Sequence, residues 1–280
     1  MRDYLIINGR NLKDFGLYAF GNSRHKFPER DVESVEIPGR TGNLTIDKGR
    51  WKNIEIEYSV AIVNEAEFKV DELRAFLLSL SGYVRIESTF EPEYYRMGRL
   101  IGTPTPKAYK EAATITLTFD CQPQKFLKSG ELALDTPENT SATVYNPTVY
   151  TARPRIMIMV NTHPTGSIGI TNYVRYFAAG QEHDVDVGHS VITVQKYVTT
   201  AIYIDCETQM AYTNLNESAM DKIVSIEGGD WPKFMPKRHA GEMMRPTSQF
   251  SGEVEVLESF SVIQSTNVDG LAVIPRWWTL

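Results

Sequence analysis

A chain of 280 residues, 42% hydrophobic and 23% charged, is long enough for two domains with their own cores and too apolar for a disordered polymer. The net charge of −6 and the lack of a dense basic patch exclude a dedicated nucleic-acid binder, whose affinity would come from neutralised phosphates. The longest clean apolar run is Ile156–Val160 and the stretch after Met1 is shorter still, so neither a membrane-spanning helix nor a signal-peptide core is expected. The expectation is a chain made and folded in a cytoplasm, or one that leaves it by some route other than a cleaved signal, with no membrane insertion.

Period-two alternation dominates from the start. Tyr4–Ile7 reads as the first strand. Leu44–Ile62 reads as a hairpin: Asp47-Lys48-Gly49 has turn chemistry closed by a left-handed glycine, and Ile54, Ile56, Tyr58, Val60 and Ile62 then alternate with polar residues. The spacing of Leu73, Phe76, Leu77 and Leu80, with Phe68 before them, predicts a helix over about 65–80. Asn64 with Glu67 is its capping-box-like start, and Ser81-Gly82 its stop. Gly82–Ser88 follows as a strand, and Ile115, Leu117, Phe119 and Cys121 mark another.

Gln122–Asn146 breaks the pattern with Pro123, Gly130 and Pro137, which suits a linker plus an entering edge strand. The boundary is placed near residue 130, dividing domains 1–130 and 131–280. Charge steps there too: 19 Lys and Arg oppose 18 Asp and Glu before it, and 10 oppose 17 after it. The second half has strand-like runs at Arg155–Val160, Val191–Val194, Ala201–Asp205, Gly252–Leu257 and Leu271–Pro275. It lacks a helical period, so it reads as an all-β sandwich.

Chemistry is sparse. No phosphate-cradling glycine loop, zincin helix, nucleophile elbow or paired Cys-x-x-Cys occurs, and Gly166-Ser167-Ile168-Gly169 lacks the third glycine of a dinucleotide site. His183-Asp184-Val185-Asp186-Val187-Gly188-His189 has metal-ligand residue types, but alternation on a strand sends them to opposite faces. Glu55/Glu57, Asp184/Asp186 and Glu253/Glu255 share strand faces, which fits a glycosidase pair or, more simply, a solvated sheet face. Cys121 and Cys206 fall on opposite sides of the boundary and are expected to stay unpaired. No catalytic, cofactor-binding or metal-ligating residue is assigned, and no cofactor. Trp231, Trp277 and Trp278 are either core fillers or platforms for a sugar ring, and of the adjacent pair at most one fits the core.

Ile37-Pro38-Gly39-Arg40-Thr41-Gly42-Asn43-Leu44, followed by Asp47-Lys48-Gly49-Arg50-Trp51-Lys52-Asn53-Ile54, resembles the N-terminal signature of siphophage distal tail (Dit) proteins. Asp120–Phe126 resembles the end of that family's first domain, and Asn146-Pro147 through Ala152-Arg153-Pro154-Arg155-Ile156 the entry to its second. Gly229-Asp230-Trp231-Pro232 and Pro275-Arg276-Trp277-Trp278 resemble its C-terminal end, although Pro236–Gly241 departs from the family's pattern and Met243–Val268 is longer than a minimal connection. The resemblance implies a mainly β fold: an N-terminal β-sandwich or split-barrel-like domain with one α-helix, plus a C-terminal galectin-like β-sandwich. It also implies a structural virion protein at the distal end of the phage tail, assembled in the host cytoplasm. Its implied form is a hexameric ring joining tail tube to tail tip or baseplate. Its implied partners are the tube protein, the tail-associated protein and receptor-binding components, with DNA only in transit. A carbohydrate-binding module recognising the host surface is the alternative, and an enzyme such as a wall hydrolase is not expected.

Overall fold

The computed structural model describes all residues except 1–2, 23–25, 64–65, 110–111, 137, 215–216 and 245–253. The fold is mainly β with one α-helix among the described residues, as expected. It forms two compact units, Met1–Phe126 with Leu280, and Leu127–Thr279.

The first unit opens with a tight hairpin. Strands β1 (Leu5–Ile7) and β2 (Arg10–Asn11) flank Asn8-Gly9, whose φ angles of 50° and 80° are those of a two-residue mirror-image turn. The other strands are β3 (Leu17–Asn22), β4 (Arg30–Val35), β5 (Leu44–Trp51), β6 (Ile54–Val63), β7 (Val84–Ser88), β8 (Tyr94–Ile101), β9 (Lys107–Tyr109) and β10 (Ala112–Leu127). The main sheet runs β2-β1-β7-β8-β10-β6-β3, with β9 along the start of β10. Its registers are antiparallel, and the longest pairs Ala112–Cys121 of β10 with Val63–Ile54 of β6. On that pair the predicted alternation is the burial pattern: Ile54, Ile56, Tyr58, Val60 and Ile62 are buried, as are Ile115, Leu117, Phe119 and Cys121. Each such fully buried side chain contributes roughly 1.5–3 kcal/mol.

Helix α1 (Ala66–Ser79) covers the predicted span. Leu73 and Leu77 enter the core, with Val70, Phe76 and Leu80 packed partly against it. Gly82, at φ 64°, takes the left-handed conformation that suits a stop after the helix. Asn64 and the side chains of Glu67 and Phe68 lie outside the described residues.

Two expectations are corrected here. Leu44–Ile62 is not a hairpin, because β5 pairs antiparallel with β4 while β6 lies between β3 and β10. Asp47-Lys48-Gly49 is a bulge inside β5: Val32 faces Asp47 and Arg30 faces Trp51, so extra residues are accommodated on the β5 side. Gln122–Leu127 is not linker but the end of β10, whose alternating burial continues through Cys121 and Pro123. The entering edge strand is found at β11 (Ser141–Val144), which among the described residues pairs with β17 (Val254–Thr266) alone.

The second unit is organised by two long strands, β12 (Arg155–Ala178) and β13 (Gln181–Asp205), joined at Ala179-Gly180. They are joined by β14 (Met210–Tyr212), β15 (Ile223–Glu227), β16 (Met243–Met244), β17 and β18 (Gly270–Ile274). The sheet path is β11-β17-β12-β13-β14, with β15 on β13, β16 on β17 and β18 on β12. Near Val160–Thr165 the register slips, and β12 changes neighbour. Arg155–Met159 pairs with β18, whereas Ser167–Tyr176 pairs with β17. A bulged strand that serves two layers is how such a sandwich turns its corner. Gly166 sits at the bend, where a Cβ would come 2.6 Å from Val160 and 2.7 Å from the Asn267 carbonyl. Between the layers lie Ile156, Ile158, Ile168, Ile170, Ile192, Val194, Ile202, Ile204, Phe234 and Trp277. The predicted runs at Arg155–Val160, Val191–Val194 and Ala201–Asp205 are segments of β12 and β13. Of Gly252–Leu257, residues 252–253 lie outside the described residues, and the rest opens β17.

Candidate functional site

Strands β4 and β5 form a sheet of two, separate from the main sheet. The I-P-G-R motif builds its tip: the Arg40 N–H donates to the Ile37 carbonyl at 3.1 Å across Pro38-Gly39, with Gly39 at φ 83°. That is a type II turn, which needs Pro at the first central position and Gly at the second. Further along, the Gly49 N–H donates to Asp47 Oδ1 at 2.7 Å, and Gly49 is at φ 75°. The remaining motif residues anchor the base. The Arg30 guanidinium lies 5.1 Å over the Trp51 ring, and Asn53 donates to the Tyr83 hydroxyl at 2.5 Å.

Charge is zipped across this arm. Arg30 pairs with Asp47 at 2.8 Å, Arg50 with Asp31 at 2.7 Å, Lys52 with Glu29 at 3.5 Å and Lys48 with Glu33 at 3.6 Å. The Arg50 hydrogen bond holds the Asp31 carboxyl below its ordinary range; the Gly49 N–H and then Arg30 do the same for Asp47. Apart from the buried carboxylate of Asp31, these pairs are solvent-exposed and add little stability, so they set register more than they stabilise. Apolar side chains, by contrast, are left in solvent. Leu44 and Ile46 sit two apart on one face, 38% and 46% exposed, and Val32 is 43% exposed on the other. A ribbon of two strands is marginal alone, and apolar residues on an open strand pair invite another chain. The arm thus carries an open apolar face outside the main sheet.

The other quoted segments meet inside the second unit. Ala152 and Phe234 exchange backbone hydrogen bonds at 3.1 and 2.8 Å, and Arg153 reaches Asp230 at 3.4 Å. Asp230 also accepts from Lys233 at 2.7 Å and from the Trp231 N–H at 2.8 Å; with Lys233 the leading cause, its carboxyl is held at about 2. The Asn146 amide donates to the Tyr150 and Met235 carbonyls at 2.8 and 2.9 Å. Arg276 donates to the buried Asp205 at 2.8 Å, and Trp277 meets Phe234 with ring centroids 5.0 Å apart. These motifs are a scaffold of the sandwich core.

The remaining sequence candidates are placed as follows. His183 stacks on Tyr176, Asp184 pairs with Arg175 at 2.7 Å and Asp186 accepts the Gly188 N–H at 2.7 Å. Only His189 and Asp186 approach one another, at 3.8 Å, and among the described residues no group of three ligand types is placed to hold a metal ion. Glu55 and Glu57 line the exposed face of β6; Glu253 lies outside the described residues. Cys121 and Cys206 are free and buried, and burial pushes both thiols up to about 12. Trp231 and Trp277 are core residues, and Trp278 stacks on Tyr150 at 4.4 Å while donating to the Thr151 carbonyl at 2.9 Å. None of the three offers an open shelf for a sugar. The arm itself went unrecognised as a unit, although Glu29–Val35 carries the complement of the charges on Asp47–Lys52.

No family model matches the chain, and no curated protein does. Among solved structures, the crystal structure of the SPP1 Dit (gp 19.1) protein is similar over 95% of this chain and 99% of its own, with a TM-score of 0.59 and 15% identity. That structure is described as a paradigm of the hub adsorption apparatus of phages infecting Gram-positive bacteria. The resemblance read from Ile37–Ile54 and from the segments around Asn146, Asp230 and Trp277 thus extends to the architecture of both units: this chain has the fold of a phage distal tail (Dit) protein.

Proposed function

We propose that the protein is the distal hub of a siphophage tail, a structural virion protein without catalytic chemistry of its own. Six copies close a ring between the tail tube and the tip or baseplate, and the second unit faces the tail-associated and receptor-binding components. The observation that carries this reading is the separate β4–β5 arm, with Leu44 and Ile46 exposed on one face, on a chain whose fold matches a tail hub almost end to end. A neighbouring subunit laid over that face removes both the apolar surface and an open strand edge. The ring also surrounds the path of DNA. Residues 1–130 are nearly neutral, 19 basic against 18 acidic, so the lumen lacks the positive lining that would grip phosphates and slow transit.

The test is a double variant, Leu44→Asp with Ile46→Asp, in the full-length protein. Both sites are outside the main sheet, so each chain keeps its melting behaviour while rings fall apart into smaller species by light scattering. Rings that persist in the variant contradict the arm's role, and wild-type rings that retain duplex DNA at ~150 mM salt contradict the neutral lumen.

A further inference from the structure

The face that strand β12 turns away from the sandwich interior carries Tyr173, Arg175 and Phe177, while Val174 and Tyr176 between them are buried. Tyr173 is in register with Phe260 of β17 and stacks on it, with ring centroids 5.4 Å apart and planes 19° apart. Tyr145, the residue after β11, closes on Phe260 from the opposite edge of β17 at 6.1 Å. Phe260 is thereby only 7% exposed on an outward face, whereas Tyr145 keeps 55% of its surface in solvent. The three rings make a shelf whose middle ring is shielded and whose outer ring is open. Shielding Phe260 leaves the solvent side of Tyr145 unused.

Beside the rings stands a fixed polar wall. The Arg175 guanidinium lies 5.1 Å from the Phe260 ring centre. Its Nε–H and Nη2–H donate to Asp184 at 2.7 and 3.0 Å, and its Nη1–H donates to Glu258 at 2.7 Å. Pinned this way, it holds one rotamer, with further N–H groups left to donate; the two carboxylates, partly exposed, keep lone pairs to accept. Across β12, Asp186 and Asp184 of β13 face Tyr173 and Arg175, and Glu182 lies 3.9 Å from Arg175. Four carboxylates around one guanidinium leave this face negative. That field repels phosphate- or carboxylate-bearing ligands and admits hydroxyl donors. Tyr145 and Arg175 both border Phe260, at 6.1 and 5.1 Å, so one or two sugar rings span from one to the other.

We propose that this shelf binds a neutral saccharide of one or two pyranose rings, with a C–H face against Tyr145 and hydroxyls on Arg175, Asp184 and Glu258. A pyranose presents that combination: an apolar C–H face rimmed by hydroxyls that both donate and accept. The surplus of negative charge selects against anionic sugars. The site does not depend on the ring reading, since it lies wholly within the second unit and asks nothing of the oligomeric state.

The experiment is saturation-transfer NMR on the full-length protein with methyl β-glucopyranoside, methyl β-galactopyranoside, N-acetylglucosamine and cellobiose. Sodium glucuronate is the anionic comparison. At least one neutral sugar is expected to receive saturation on the C–H protons of one ring face, with a half-point on the order of 1–10 mM, a weak affinity suited to an open shelf. Tyr145→Ala should raise that half-point about ten-fold without moving the melting temperature, and Tyr145→Phe should leave it nearly unchanged. Should Tyr145→Ala fail to fold, Tyr145→Leu keeps apolar bulk without a ring face and carries the same expectation. Leu132→Ala, at an exposed apolar side chain elsewhere in the second unit, should change nothing. The proposal is overturned by no transfer to any of the four neutral sugars, or by transfer that survives loss of the Tyr145 ring. An equal loss in Leu132→Ala, or glucuronate bound as tightly as a neutral sugar, overturns it too.

Discussion

Replacing Gly49 by valine isolates the energetics of the arm. Gly49 is at φ 75°, and a Cβ built on it meets no atom within 4 Å, so the substitution creates no clash with a neighbour. The cost is therefore the backbone term alone: about 1 kcal/mol for any side chain held at positive φ and about 2 kcal/mol for a β-branched one. Because β4 and β5 form a sheet of their own, this loss falls on local opening of the arm, not on unfolding of the main sheet. About 2 kcal/mol corresponds to roughly 30-fold faster amide exchange through local opening. Native-state hydrogen exchange should show that acceleration over Arg30–Val35 and Leu44–Trp51, with the β6–β10 amides and the melting temperature unchanged. A melting temperature lowered by several degrees, or arm exchange equal to that of wild type, would refute both the bulge assignment and the independence of the arm.

Gly228→Ala is the contrasting case: φ is 88°, and its Cβ would lie 2.0 Å from the His189 carbonyl oxygen, so β15 and β13 must separate there. The cost should exceed about 3 kcal/mol, seen as a shifted denaturant midpoint for the second unit, and a shift under about 1 kcal/mol would contradict the close approach. Acid should also weaken the second unit. Asp230 is held at about 2, mainly by Lys233; for Asp205 burial is the largest influence and pushes the carboxyl up, but Arg276 and the Thr208 and Glu207 N–H groups together outweigh it and leave the group below its ordinary value. Both carboxylates have depressed folded-state values, so their stabilisation is complete above about pH 4 and is lost as pH falls below it, for Asp230 towards about 2. The melting temperature should fall across that window and fall less in Asp230→Asn; a flat profile in wild type would contradict the assignment.

Much of the fold was legible because a sheet with one buried face imposes period two. That pressure acts on every residue of β6 and β10, and both read clearly. The helix read for the same reason, through Leu73 and Leu77. The β4–β5 arm was misread because a glycine bulge and a hairpin turn share their local chemistry: Asp47 accepts the Gly49 N–H and Gly49 is left-handed in either. What separates them is the partner strand, and β4 precedes Gly49 by some fifteen residues with no local mark. The length of β12 and β13 was hidden by Thr162–Gly166, where the chain bends between layers, and by Ala179-Gly180. There Ala179 takes φ 51°, a conformation that sequence leads one to expect of Asn or Gly.

On the proposed function, this chain assembles through its first unit into a hub. Electron microscopy of the purified full-length protein, combined with mass measurement by light scattering, tests it most directly. Six-fold rings with a mass near six times 31.7 kDa and an open central channel are expected. A monomer that persists at high concentration, together with no six-fold layer of this protein at the end of the phage tail, would contradict it.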